Sequence, residues 1–253
     1  MNFMRRRRRS TSATVFLPVA AILIVAFSTL GVSSFLRIMY IEVVGASRYS
    51  EEEIIFVSGI STAKNLLFLD KSAIEGRIRS EMPYISSVII TRVIPDTIWI
   101  DITESTALAM IRFKDETLVI DSSGRVLERL EVPPAGLVEV RGFTPVNPEI
   151  GSAMKAEPSG ETRLQYLTDV LKAMERADIC DDVSYLDVSN IVGINFWYID
   201  RFEVTIGGSG NVQQKLGRLP QIVEKINEDY GVEETGRISM SDSSSESRFY
   251  LYR

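Results

Sequence analysis

The chain is 253 residues long, carries a net charge of −6, and contains one cysteine and no histidine. The missing histidine removes Ser-His-Asp and Cys-His catalysis, histidine general bases and histidine-ligated zinc together, and the single Cys180 allows no intrachain disulfide. Arg5 to Arg9 are the only charges before Arg37, and removing those five from the total leaves −11 on the rest; so acidic a balance argues against nucleic acid and against adsorption to an anionic lipid surface.

Residues 1–13 form a basic tail, and Val15 to Leu36 is a run of 22 residues without one charge. As a helix that run is long enough to cross a ~30 Å hydrocarbon core. The expectation is a transmembrane helix over 14–36, with the arginine cluster held in the cytoplasm and everything after Leu36 outside. The rival reading is a cleaved signal peptide, with Gly31-Val32-Ser33 as small residues for a peptidase, but the apolar run exceeds the usual length of a signal.

Arg37 to Val44 alternates as a strand, with Ile41 and Val43 on one side and Tyr40, Glu42 and Val44 on the other. Gly45 breaks it. Ser50 and Glu53 then stand as a capping box, Tyr49 and Ile54 as a hydrophobic staple, and Ser58-Gly59 as the helix end. Asp70 is placed to cap a second helix whose apolar face carries Ile74 and Ile78, with Leu69 as staple and Pro83 as stop. Val88 to Ile94 and Thr97 to Glu104 read as a hairpin about the Pro95-Asp96 turn.

This order of strand, helix, helix, strand, strand is the layout of a POTRA module, and several stretches carry the resemblance. Residues 41–54 (Ile-Glu-Val-Val-Gly-Ala-Ser-Arg-Tyr-Ser-Glu-Glu-Glu-Ile) resemble the family's opening strand, glycine turn and first helix. Residues 65–70 (Asn-Leu-Leu-Phe-Leu-Asp) resemble its link to the second helix, and Pro83-Tyr84-Ile85 with residues 92–98 its closing hairpin. POTRA modules also occur in outer-membrane assembly and transport proteins. The whole arrangement of basic tail, one membrane helix, one POTRA module (37–106) and a β-rich region (107–253) is similar to the FtsQ/DivIB family of bacterial division proteins. Glu104 stands where that family usually has Glu, while Ser105 stands where Arg is more usual.

In the second region, strands are expected at Ala109 to Arg112, Leu118 to Asp121, Arg125 to Glu128, Leu137 to Val140, Val183 to Val188, Gly193 to Ile199 and Arg201 to Ile206. Two more follow at Arg237 to Met240 and Arg248 to Tyr252. Residues 144–160 read as a loop. Glu161 to Ala177 and Val212 to Tyr230 carry apolar residues at helical spacing. The fold class is α+β: a transmembrane helix, a POTRA module, then a β-rich domain with two helices.

Candidate sites are few. Gly207-Gly208-Ser209-Gly210 precedes a helix, but no Lys-Ser/Thr pair follows, so it reads as a strand-to-helix turn rather than a phosphate loop. The spacing of Asp181, Asp182, Asp187 and Asp200 does not match a calcium loop and reads as acidic surface. Cys180 reads as a small buried residue. The last segment, with Phe249, Tyr250, Leu251 and Tyr252, is either a strand completing a core or an edge strand open to an incoming segment.

The resemblance implies the second alternative. In the FtsQ/DivIB family this final region takes up a partner, so Phe249, Tyr250, Leu251 and Tyr252 are the transferred partner-binding residues. The family's Ile-Asp-Leu type strand is replaced here by Ile238-Ser239-Met240. The resemblance further implies a non-enzymatic scaffold in the cell membrane at the division septum. It would bind bitopic proteins of the FtsB/DivIC and FtsL type and link them to the septal peptidoglycan synthase complex, with no cofactor, metal, nucleic acid or small-molecule substrate. The alternative is a POTRA-type substrate-handling component of a transport or export system.

Overall fold

The computed structural model describes residues 36–62, 64–208, 210–240 and 247–252, together with Val19. The expected basic tail (1–13) and, save for Val19 and Leu36, the transmembrane helix (14–36) lie outside the described residues; among the described residues no helix is long and apolar enough to cross a membrane. The chain forms two compact units, one joining Met1–Ile78 to Val88–Ile102, the other joining Arg79–Ser87 to Thr103–Arg253.

The first unit contains β1 (Tyr40–Val44), α1 (Glu51–Ser58), most of α2 (Lys71–Glu81), and the larger parts of β2 (Ile85–Val93) and β3 (Thr97–Glu104). The sheet order is β1-β3-β2. β1 runs parallel to β3, with Val43 opposite Ile100. The local signals in the sequence act as expected. Ser50 Oγ accepts from the Glu53 amide at 3.2 Å and Glu53 Oε2 accepts from the Ser50 amide at 2.9 Å, which closes the capping box. Gly59 ends α1 at φ +63, and Asp70 Oδ1 accepts from the Ala73 amide at 3.1 Å to start α2. Val43, Ile98 and Ile100 from the strands are buried, as are Ile54, Ile74 and Ile78 from the helices. Two features went unforeseen: a 3₁₀ turn at Leu66–Phe68 capped by Asn65, and a β2 that starts three residues before Val88, because Ile85 is itself buried.

The second unit is a nine-stranded sheet in the order β12-β11-β10-β9-β8-β7-β4-β5-β6. Its strands are β4 (Ala109–Phe113), β5 (Glu116–Ile120), β6 (Val126–Leu130), β7 (Val138–Arg141), β8 (Val183–Asp187), β9 (Asn195–Tyr198), β10 (Phe202–Thr205), β11 (Gly236–Met240) and β12 (Ser247–Leu251). Helices α3 (Glu161–Ala177) and α4 (Val212–Tyr230) have the bounds read from the apolar spacing. Leu167, Leu171 and Met174 of α3 share one buried cluster with Leu216 and Leu219 of α4 and with Phe196, Phe202 and Ile238 of the sheet. α4 continues through Pro220, which has no amide to donate.

Candidate docking site at the open edge of the nine-stranded sheet

β12 pairs antiparallel with β11, placing Phe249 opposite Ile238 and Tyr250 opposite Arg237. It ends the sheet order, and among the described residues no strand pairs with its outer side. That side therefore offers backbone groups to an incoming strand. At the opposite end of the sheet, β6 is partly occupied: the Val126 amide donates to Ser152 O at 3.0 Å and the Gly151 amide donates to Val126 O at 2.8 Å.

Alternation along β12 sets Phe249 and Tyr250 on opposite faces, and Tyr252 follows the strand's end. Phe249 turns inward, with its ring edge on Phe202 at 5.8 Å and tilted against Tyr230 at 5.5 Å. Tyr250, Leu251 and Tyr252 are exposed. Tyr252 is fixed from below, because its hydroxyl donates to Glu203 Oε2 at 2.7 Å. Arg237 donates to the same oxygen from Nη2 at 2.7 Å and Nε at 2.9 Å. These bonds hold the Glu203 carboxyl below the usual carboxylate range: Tyr252 is the leading cause, partial burial opposes it, and Arg237 adds to the lowering. Tyr252 moves up, through burial first and then through Glu203. Gly236 makes the close approach possible: a Cβ there would lie 2.3 Å from Tyr250 O and 2.6 Å from the Phe249 ring.

A groove of about 620 Å³ lies between α4 and β12. Ile222, Ile226, Tyr230 and Phe249 give it an apolar part. Arg218, Lys225 and Arg248 against Asp229 give it a net positive lining on an acidic chain. Neither the groove nor the Glu203–Arg237–Tyr252 cluster is readable from the sequence, because both depend on the register of strands far apart in the chain.

The other candidates have structural partners. Asp187 Oδ1 accepts from the Ser189 amide at 2.8 Å, and Ser189 lowers the Asp187 pKa. Asp200, in a left-handed turn at φ +54, accepts from Ser184 Oγ at 2.9 Å. Asp181 and Asp182 lie in a short 3₁₀ turn. Among the described residues no group of three or more acidic or cysteine side chains is arranged to hold a metal ion. Cys180 is half-buried rather than fully buried. Burial first, then Glu175, Asp181 and Asp178, push its thiol up to about 12, so it is no thiolate nucleophile at neutral pH. Ser209 lies outside the described residues; beside it, Lys215 Nζ donates to Ile206 O at 2.7 Å, tying the strand-to-helix turn to its own backbone.

Known proteins bear on this architecture at two levels. Residues 36–105 match the family model described as POTRA domain, FtsQ-type. The chain thus carries an FtsQ-type POTRA domain ahead of a larger β-rich unit. It is 26% identical over 226 residues to the cell division protein FtsQ of Corynebacterium glutamicum, covering 88% of this chain and 96% of that one. It is 29% identical over 224 residues to the cell division protein DivIB of Clostridium botulinum, covering 88% and 85%. It is a relative of the FtsQ/DivIB cell division proteins, as the residues of the POTRA module and the order of segments led us to expect. The solved major extracytoplasmic domain of DivIB from Geobacillus stearothermophilus aligns with 50% of this chain and 98% of its own at 13% identity, with a TM-score of 0.32, too slight a likeness to carry the fold.

Proposed function

We propose that this protein is a non-enzymatic, single-pass membrane scaffold of the bacterial divisome. Residues 14–36 anchor it with the arginine tail in the cytoplasm and both folded units outside, at the division septum. The open outer side of β12 takes up an extended segment of a bitopic division protein of the FtsB/DivIC type, associated with an FtsL-type partner, and the assembly links to septal peptidoglycan synthesis. The observation that carries this reading is the one-sided pairing of β12, at the end of a sheet in a chain related to cell division proteins. Strand addition would gain affinity from backbone hydrogen bonds and selectivity from Tyr250 and Tyr252. The cationic groove beside it favours an acidic side chain on the same partner. Tethering all components in one membrane raises their effective concentration, so each contact can be weak.

The test is a crosslinked pull-down of the full-length protein from its native membranes, read by mass spectrometry, alongside a chain lacking residues 248–253. Recovery of small bitopic division proteins by the intact chain and their loss from the shortened one is expected. Recovery of secretion or outer-membrane components with no division proteins would overturn the scaffold reading in favour of transport. Undiminished recovery by the shortened chain would sink the β12 site alone.

A further inference from the structure

The end of the first unit where the chain enters is apolar and exposed. Leu36 is already fastened: its carbonyl accepts from the Leu66 amide at 2.7 Å, and the Ile38 amide donates to Lys64 O at 2.9 Å. The Met39 amide donates to Asp96 O at 2.8 Å, which brings the β2–β3 turn to the same end. Around this point stand four large exposed apolar side chains, Phe68 at 84% and Ile94 at 71% exposure together with Met39 and Leu67. The backbone beneath them is firmly held, since the Phe68 amide donates to Asn65 O at 3.3 Å and Arg92 Nη2 donates to Leu69 O at 2.7 Å. Two cations, Arg37 and Lys64, are exposed among them. β1 and β3 both start at this end and run parallel away from it, and the acidic first turn of α1 follows the far end of β1.

We propose that this tip is a membrane-docking surface: Phe68, Ile94, Met39 and Leu67 insert into the interfacial layer of the bilayer that anchors the chain, while Arg37 and Lys64 reach lipid phosphates. The proposal rests on the reading of residues 14–36 as an uncleaved anchor. The uncharged run ends at Leu36, and among the described residues Leu36 is already bonded into the folded unit through the Leu66 amide. On that reading the anchor's last residue is itself tied into the folded unit, and a chain advances at most about 3.5 Å per residue. The residues bonded to Leu36, Ile38 and Met39 therefore sit at the bilayer surface. Apolar side chains next to cationic ones suit that layer, where the former bury in the acyl boundary and the latter extend to headgroups. The −11 carried by the chain beyond the anchor disfavours general adsorption to anionic lipid, so the contact depends on local apolar burial and holds on neutral lipid. Its consequence is orientation: a unit seated on the membrane stands at fixed height and tilt instead of swinging on its anchor.

The experiment uses the full chain in a Cys180→Ser background, carrying Phe68→Cys, Ile94→Cys or, as a control beyond the far end of β1, Glu51→Cys. Each variant is labelled with an environment-sensitive fluorophore and reconstituted into phosphatidylcholine vesicles with and without nitroxide-bearing phosphatidylcholine. Labels at 68 and 94 are expected to shift blue and to be quenched by the nitroxide lipid about threefold more than the label at 51. Equal quenching at all three positions, in a chain that resists carbonate extraction, overturns tip docking and leaves the anchor standing. Release of the chain by carbonate overturns both. Labels at 68 and 94 shielded from aqueous iodide yet unquenched by nitroxide lipid would show the tip covered by protein and overturn the lipid assignment.

Discussion

Phe249 meets Phe202 ring edge to ring face, centroids 5.8 Å apart and planes 79° apart. The last strand is thus held from inside by one aromatic, while Tyr250 next to it is exposed. Truncating the two kinds of side chain must then have different effects. Phe249→Ala is expected to cost about 2 kcal/mol of stability, below the full-burial range because the ring is only partly buried, and to loosen β12. Tyr250→Ala is expected to leave stability within about 0.5 kcal/mol while weakening partner capture. Thermal unfolding beside the pull-down separates them, and equal destabilisation by both variants would contradict the inward–outward division.

The Glu203–Arg237–Tyr252 cluster predicts a pH window for β12. Glu203 has a folded pKa below its ordinary value of 4.5, so its contribution is present above that value and is lost as pH falls through the folded pKa. Tyr252 is raised from 10.0, so its contribution is present below that value and is lost as pH rises through the folded pKa. Between those limits the bonds to Glu203 hold. Amide hydrogen exchange of β12 should therefore speed up in acid below the carboxylate range, beyond the intrinsic rate change. Glu203→Gln should flatten that acid limb. An unchanged acid limb in the variant would exclude Glu203 as its source.

Gly236→Ala tests whether strand spacing sets the site. The added methyl would stand 2.3 Å from Tyr250 O and 2.6 Å from the Phe249 ring, and the first of these is backbone that cannot rotate away. Overpacking of this kind costs about 1–3 kcal/mol. β12 should be displaced, with faster exchange in residues 247–251 and reduced partner capture, while the core between α3 and α4 keeps its protection. Unchanged exchange in β12 would mean that β11 and β12 can spread without loss.

The first unit was readable because its signals are local. Ser50 and Glu53 cap within one turn, Asp70 caps the next helix, and alternation in β1 and β3 marks their buried sides. The bounds of α3 and α4 were readable from a single apolar period. The order of the nine strands was not, since β4 lies between β5 and β7 and β11 lies parallel to β10 through an intervening helix. At β12 the sequence left two readings open, a core strand or an edge; Phe249 answers to the first and the unpaired outer side to the second. Glu203 and Arg237, 34 residues apart, leave no pattern in the sequence, because only the parallel register of β10 and β11 joins them.

Arg125 supports a final prediction, on the stability of the second unit. It is buried at 5% exposure. Its Nη2 donates to Arg79 O at 2.6 Å and its Nε donates to Pro83 O at 3.0 Å. Arg79 lies in the last turn of α2, where carbonyls have no partner within the helix, and Pro83 follows closely without an amide of its own. Arg125 serves that helix end as a side-chain cap, and Asp121 steadies it from the other side: Asp121 Oδ1 accepts from the amides of Arg125 and Ser123, both at 2.9 Å. Arg125→Met keeps the stem but removes the bonds to both carbonyls and is expected to cost about 2–4 kcal/mol. Arg125→Lys should rescue little, since one ammonium lacks the planar fork that reaches both carbonyls. Urea unfolding gives the magnitude, and hydrogen exchange in residues 79–87 gives the location. Wild-type protection there in Arg125→Met would show that solvent or another group satisfies the helix end in its place.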